Sequence, residues 1–219
     1  MFIILFFIEF ALIFFLSREV SKAVSQLLLK ITRNHKVTIH ILSFIFLPGV
    51  ILHELSHWIM ANLLFVRTGT IEFMPKIHEN KVKLGSVAVA KTDPFRRFFI
   101  GVAPIIIGLI TIFGIYLALF TDLSVIFSWK LALFLYLLFE IGNTMYSSSK
   151  DMEGALVFFI IIAIFILLYF ILGLHLPPAL IKAVTSEGVQ NIFQKMDIFL
   201  GILAGINILF SGFLKFFLR

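Results

Sequence analysis

The sequence predicts an all-α polytopic membrane protein of about six transmembrane helices, with a small β element between the second and third spans. Three observations predict it. Of the 219 residues, 61% are hydrophobic and only 14% are charged, against about a quarter charged in an ordinary soluble domain. The mean hydropathy is +1.10. Apolar runs also recur along the whole chain, at lengths near the roughly 20 residues that a helix needs to cross a bilayer.

The first run, Phe2 to Leu16, is short for a span unless it continues past Ser17 as an amphipathic helix through Val24, Leu27 and Leu28. It lacks a basic leader and a small-x-small cleavage site, so it reads as a retained span rather than a signal peptide. The second run, Ile39 to Val66, is too long for one straight crossing. Pro48-Gly49 lies inside it, and proline removes a backbone donor and clashes with the preceding turn, which predicts a kink or break. Arg67 to Lys91 is not a span. Thr70 to Phe73 and Lys83 to Ala90 are short, partly alternating and rich in β-formers, with His78-Glu79-Asn80 as turn material.

Asp93-Pro94 then starts a helix with proline at its first position, and the third span follows from Phe95 to Phe120, with Pro104 inside it. The fourth runs from Lys130 to Tyr146 and ends in the polar stretch Ser147 to Asp151. The fifth is Ala155 to Leu172. Pro177-Pro178 and Ser186-Glu187-Gly188 mark a connecting loop with room for a short surface helix, and the sixth span is Ile198 to Leu218. Gly201 and Gly205 in that last run form a Gly-x-x-x-Gly pair, read here as helix packing. No internal repeat is visible, and the chain reads as one membrane-embedded domain over residues 1–219. Residues 39–154 form its core and 1–38 and 155–219 flank it.

The formal charge of +6 and the 28 Phe residues fit this class: Lys and Arg gather at headgroup level and Phe covers lipid-facing surface, which argues against a nucleic-acid partner. With no cysteine, the chain forms neither a disulfide nor a thiolate zinc site, so a metal would be held by His and carboxylate. Two basic loops, Arg18 to Lys36 and Arg67 to Arg97, flank the second run. Both cannot be cytoplasmic if that run fully crosses, so either it is re-entrant at Pro48-Gly49 or one loop lies outside. The second loop is the better cytoplasmic candidate, and that choice places Lys215 and Arg219 inside as well.

The chemistry centres on His53-Glu54-Leu55-Ser56-His57, a His-Glu-x-x-His cluster within the second run. On a helix the two histidines fall four residues apart and share a face where both imidazoles reach one metal ion, with Glu54 one residue round. Three such groups in hydrocarbon are costly unless paired, hydrated or bound to a metal. Zinc needs a third protein ligand and keeps a fourth position for water. The acids at or inside the spans are Glu9, Glu140, Asp151, Glu153 and Asp197. Asp151 follows a polar break and opens a new helix, which makes it the first choice; Glu140 is the rival and Glu153 the weaker one. Glu9 is expected to pair with a polar group on a neighbouring helix.

A membrane-embedded His-Glu-x-x-His, a β-rich insert, the Gly101-Val102-Ala103-Pro104 span element and an Asn143…Asp151 pair eight residues apart together resemble the site-2 protease family of intramembrane zinc metalloproteases. Its pattern is Asn-x-x-Pro-x-x-x-Leu-Asp-Gly; here Tyr146, Lys150 and Met152 replace the Pro, Leu and Gly. The resemblance implies that His53, His57 and Asp151 bind one zinc ion per chain and that Glu54 is the general base toward water. It also implies that Asn143 contacts the substrate backbone or oxyanion, and that the edge of the β element pairs with an unwound membrane-protein substrate. The expected setting is a prokaryotic cell membrane, with the lipid bilayer as solvent. Two other functions use the same residues: a transport protein holding a metal or proton on the His-Glu-His face, and an inactive relative that binds membrane partners.

Overall fold

The computed structural model describes residues 2–78, 81–120, 128–146, 164, 167–169, 171–173 and 177–218. Helix α1 (Phe2–Thr32) is one continuous helix that carries the first apolar run on past Ser17, burying Val20, Ala23 and Val24 on its amphipathic half. It ends where Arg33 takes a left-handed φ of 51° and its N–H bonds to the Leu29 carbonyl at 2.9 Å. Asn34 then caps α2 (His35–Ile45), its Oδ1 accepting from the N–H groups of Lys36 and Val37, which satisfies two donors that a helix start leaves open.

The predicted break is present, two residues earlier than the proline itself. Helices α2 and α3 (Leu47–Leu63) meet at Phe46 with a bend of 74°. Pro48 occupies the first turn of α3, where its missing N–H costs nothing, so the chain turns before the proline. After α3 come β1 (Thr68–Glu72), β2 (Lys76–His78), β3 (Lys81–Lys83) and β4 (Ser86–Val89). β1 pairs with β4 antiparallel, with Ile71 opposite Val87 and a bulge between Thr68 and Ile71, and β2 pairs with β3. The second predicted strand is therefore split into β3 and β4, with Leu84 and Gly85 between them.

Helix α4 (Pro94–Leu119) begins as expected at Asp93-Pro94. Asp93 Oδ1 accepts the Arg96 N–H at 3.0 Å, and this bond holds the Asp93 carboxyl below the usual carboxylate range. Helices α5 (Trp129–Thr144), α6 (Pro178–Thr185) and α7 (Glu187–Leu218) follow. α1 and α7 lie along each other in parallel: Phe6 packs on Phe193 at 5.3 Å, Glu19 pairs with Lys215 at 2.9 Å and Lys30 Nζ donates to the Phe217 carbonyl. One core joins α1, α4, α5 and α7 through Ile13, Ile112, Leu138, Leu200 and Leu203; a second joins α1, α3 and α7 through Val20, Phe46, Val50 and Leu214.

The expected count of six spans is not met among the described residues. Two helices, α4 and α7, are long and apolar enough to cross a membrane, and a third crossing is added if the bent pair α2 and α3 counts as one span. α1 is long enough but carries Glu9, Arg18 and Glu19 within its first 18 residues, and α5 has only 16 residues. The fifth predicted span lies largely outside the described residues. Gly201 of the Gly-x-x-x-Gly pair lies 3.4 Å, at its would-be Cβ, from Glu9 Oε1 of α1, whereas Gly205 has no atom within 4 Å of its would-be Cβ among the described residues; among these the close approach is made at one glycine of the two.

Candidate functional site

The His-Glu-x-x-His cluster falls in the middle of α3, and all three side chains are buried: His53 is 4% exposed, Glu54 8% and His57 5%. As helical spacing requires, the two imidazoles share a face. Their Nε2 atoms approach to 3.1 Å, with the rings nearly perpendicular.

His57 is held from the neighbouring helix. Its Nδ1 lies 2.7 Å from the backbone carbonyl oxygen of Ile100 in α4. A carbonyl only accepts, so this bond puts the proton on Nδ1 and leaves a lone pair on Nε2, aimed at His53. A backbone carbonyl or carboxylate behind a ligating imidazole is the usual support of a metal-bound histidine. The donor set fits zinc as well. Two Zn–N bonds of about 2.0–2.1 Å at a tetrahedral angle place the nitrogens about 3.3 Å apart, close to the spacing found.

The β element approaches α3 at Glu54. A Cβ at Gly85, just before β4, would lie 2.8 Å from Glu54 Cγ, 2.8 Å from Val50 Cγ1 and 3.1 Å from Glu54 Oε1. Only bare backbone fits there, so the chain entering β4 forms a wall directly against the Glu54 carboxylate. β4 is paired on one side by β1, and among the described residues no strand pairs with its other edge.

The remaining predicted residues part company. Glu140 is buried on α5 at 1% exposure, and its Oε2 has no hydrogen-bond partner among the described residues. It does not join the histidines: no group of three or more His, Asp or Glu able to hold a metal forms among the described residues. Asp151, the first choice for third ligand, and Glu153 lie outside the described residues. Glu9 faces α7, where Asp197 comes within electrostatic range.

Asn143 ties two helices together. Its Nδ2 donates to Asn207 Oδ1 of α7 at 3.0 Å, and Asn207 Nδ2 donates back to Asn143 Oδ1 at 2.9 Å; a second Nδ2 bond goes to the Phe139 carbonyl. The amide that the family pattern turns toward substrate is thus engaged by its neighbour, which sequence reasoning did not single out. Asn207 was visible as an amide in an otherwise apolar run, but its partner is 64 residues away. Asn143→Leu is expected to strand the Asn207 amide in the core and to destabilise the protein by about 1–2 kcal/mol. The double variant Asn143→Leu/Asn207→Leu should recover most of the loss. Thermal unfolding in detergent micelles reads both, and a double variant as unstable as the sum of the singles would refute the reciprocal pair.

No family model matches the chain, and neither the curated proteins nor the solved structures contain a match to it.

Proposed function

We propose that the protein is a multi-pass intramembrane zinc metalloprotease of a prokaryotic cell membrane, related to the site-2 proteases, that hydrolyses peptide bonds of membrane-spanning substrates. The observation that carries this reading is the convergence of His53 Nε2 and His57 Nε2 beside Glu54, in the interior of a chain with helices apolar enough to cross a bilayer. His53 and His57 would hold the ion together with a carboxylate from another element, for which Asp151 is the first candidate and Glu140 the second.

Bound zinc supplies Lewis acidity, lowering the pKa of water toward about 7 and polarising a carbonyl. The chain's own groups do the rest. Glu54, adjacent in sequence to His53, takes a proton from the attacking water and returns it to the leaving amine. Gly85 keeps the carboxylate from swinging away. The open edge of β4 offers backbone hydrogen bonds to a substrate segment that has lost its helical ones, so that an extended peptide lies beside Glu54. The bend at Phe46 supports a re-entrant course for α2 and α3. That course brings both basic stretches to one side of the membrane, together with Lys215, which pairs with Glu19 inside the first of them.

The test is metal removal from the protein reconstituted in liposomes with a single-span substrate. Chelation is expected to abolish cleavage, and stoichiometric zinc to restore it with about one ion bound per chain. Cleavage that persists without metal, or an absence of both zinc and cleavage in the reconstituted protein, would defeat the proposal.

A further inference from the structure

We infer that Pro104 is a positioning residue for His57: by depriving α4 of one backbone N–H, it frees the Ile100 carbonyl to hold the imidazole. In an α-helix the N–H of each residue bonds to the carbonyl four residues before it. The carbonyl four residues before Pro104, a proline inside α4, is that of Ile100. Proline has no N–H and its ring presses against that carbonyl, so the regular bond to Ile100 cannot form. Ile100 and Pro104 are both buried, where a carbonyl without a donor is costly and a neighbouring helix is the usual source of one. The His57 Nδ1–H is that donor, at 2.7 Å.

Two deficits cancel in this contact. α4 lacks a donor for Ile100, and the His57 imidazole needs an acceptor that fixes its proton on Nδ1. Without Pro104 the Ile100 carbonyl would be drawn back into the helical ladder by the residue 104 N–H. The imidazole would then be free to change tautomer and to turn its Nε2 away from His53. A proline that served only to bend α4 would have no such influence on the imidazole.

The consequence for zinc rests on the proposed function; the hydrogen bond and its dependence on Pro104 do not. Two measurements on the purified protein in detergent micelles separate the two. In a chelator competition, Pro104→Ala is expected to weaken zinc binding about ten- to a hundredfold, the range for loss of a ligand's supporting partner, with His57→Ala as the reference for full loss. The metal-free unfolding midpoint of Pro104→Ala should stay close to the parent's, since the helical hydrogen bond regained offsets the one lost at His57. Zinc affinity within about twofold of the parent protein would overturn the inference.

The second measurement uses no metal. In protein labelled with 15N in its histidine rings, the His57 signals, identified by their loss in His57→Ala, should report a single tautomer protonated on Nδ1. In Pro104→Ala they should report a tautomer mixture. An unchanged His57 signal overturns the inference even if the chain binds no zinc, so failure of the metal reading and failure of this one are separately visible. Pro104→Gly restores the same N–H and should give the same tautomer mixture; a single Nδ1-protonated His57 tautomer in Pro104→Gly would assign Pro104 to packing alone and overturn the inference.

Discussion

Glu54→Gln is expected to lower turnover of a membrane-spanning substrate by about a hundred- to ten-thousandfold, the contribution of a well-placed general base, while zinc content stays at the parent level. Glutamine keeps the size and shape of the side chain, so its fit against the backbone at Gly85 is retained. What is lost is the capacity to accept a proton at neutral pH. Cleavage of a fluorogenic single-span substrate in liposomes, run beside metal analysis of the same sample, decides the matter. Full activity in Glu54→Gln would remove Glu54 from the chemistry. Loss of zinc together with activity would make Glu54 a support of the metal rather than a base.

Gly49→Val is expected to be among the most destabilising single changes in the chain, at about 3 kcal/mol or more, the upper range for overpacking. Gly49 lies in the first full turn of α3, one turn before His53, where α5 crosses. A Cβ there would overlap the Thr144 side chain and lie 2.6 Å from the Glu140 backbone carbonyl oxygen. A side chain can rotate away; a helix carbonyl cannot move without the helix. Thr144→Ala should therefore relieve only part of the defect in Gly49→Val, as read by the midpoint of thermal unfolding. Because apolar side chains gain nothing from leaving lipid for a protein interface, close backbone approach at small residues supplies much of the association between membrane helices. Recovery to parent stability in Gly49→Val/Thr144→Ala would show that α5 does not pack where it is placed.

The α3–α5 contact also bears on the site. It sets α5 so that the Glu140 backbone carbonyl and the Thr144 side chain meet α3 while Asn143 reaches α7, a division of labour along one helix at the 3.6-residue period. Position 140 looked like a rival metal ligand because a carboxylate in an apolar run is expensive and invites a function. Its backbone carbonyl stands against Gly49, and among the described residues no group of three metal-capable side chains forms.

Much of the local structure was legible in the residues. The continuation of α1 past Ser17, the break ahead of Pro48, the start of α4 at Asp93-Pro94 and the shared face of His53 and His57 all follow from short-range rules. These concern missing donors, capping oxygens and helical period, and they act within a few residues of chain. The span count did not follow, because apolar composition measures affinity for lipid and not where a helix stops. α5 stops after 16 residues, and α1 admits three charges into its first 18 residues.

The contacts between distant residues needed the folded chain. Asn143 and Asn207 are 64 residues apart, and His57 and the Ile100 carbonyl 43 apart; no local pattern pairs them. Sequence alone was enough to place two imidazoles and a carboxylate on one helical face, since the spacing of residues along a helix is set by its backbone geometry. Which carbonyl supports His57, which glycine backbone walls in Glu54 and which amide occupies Asn143 were decided by helix packing. Such packing depends on the summed fit of many side chains, and no single residue encodes it.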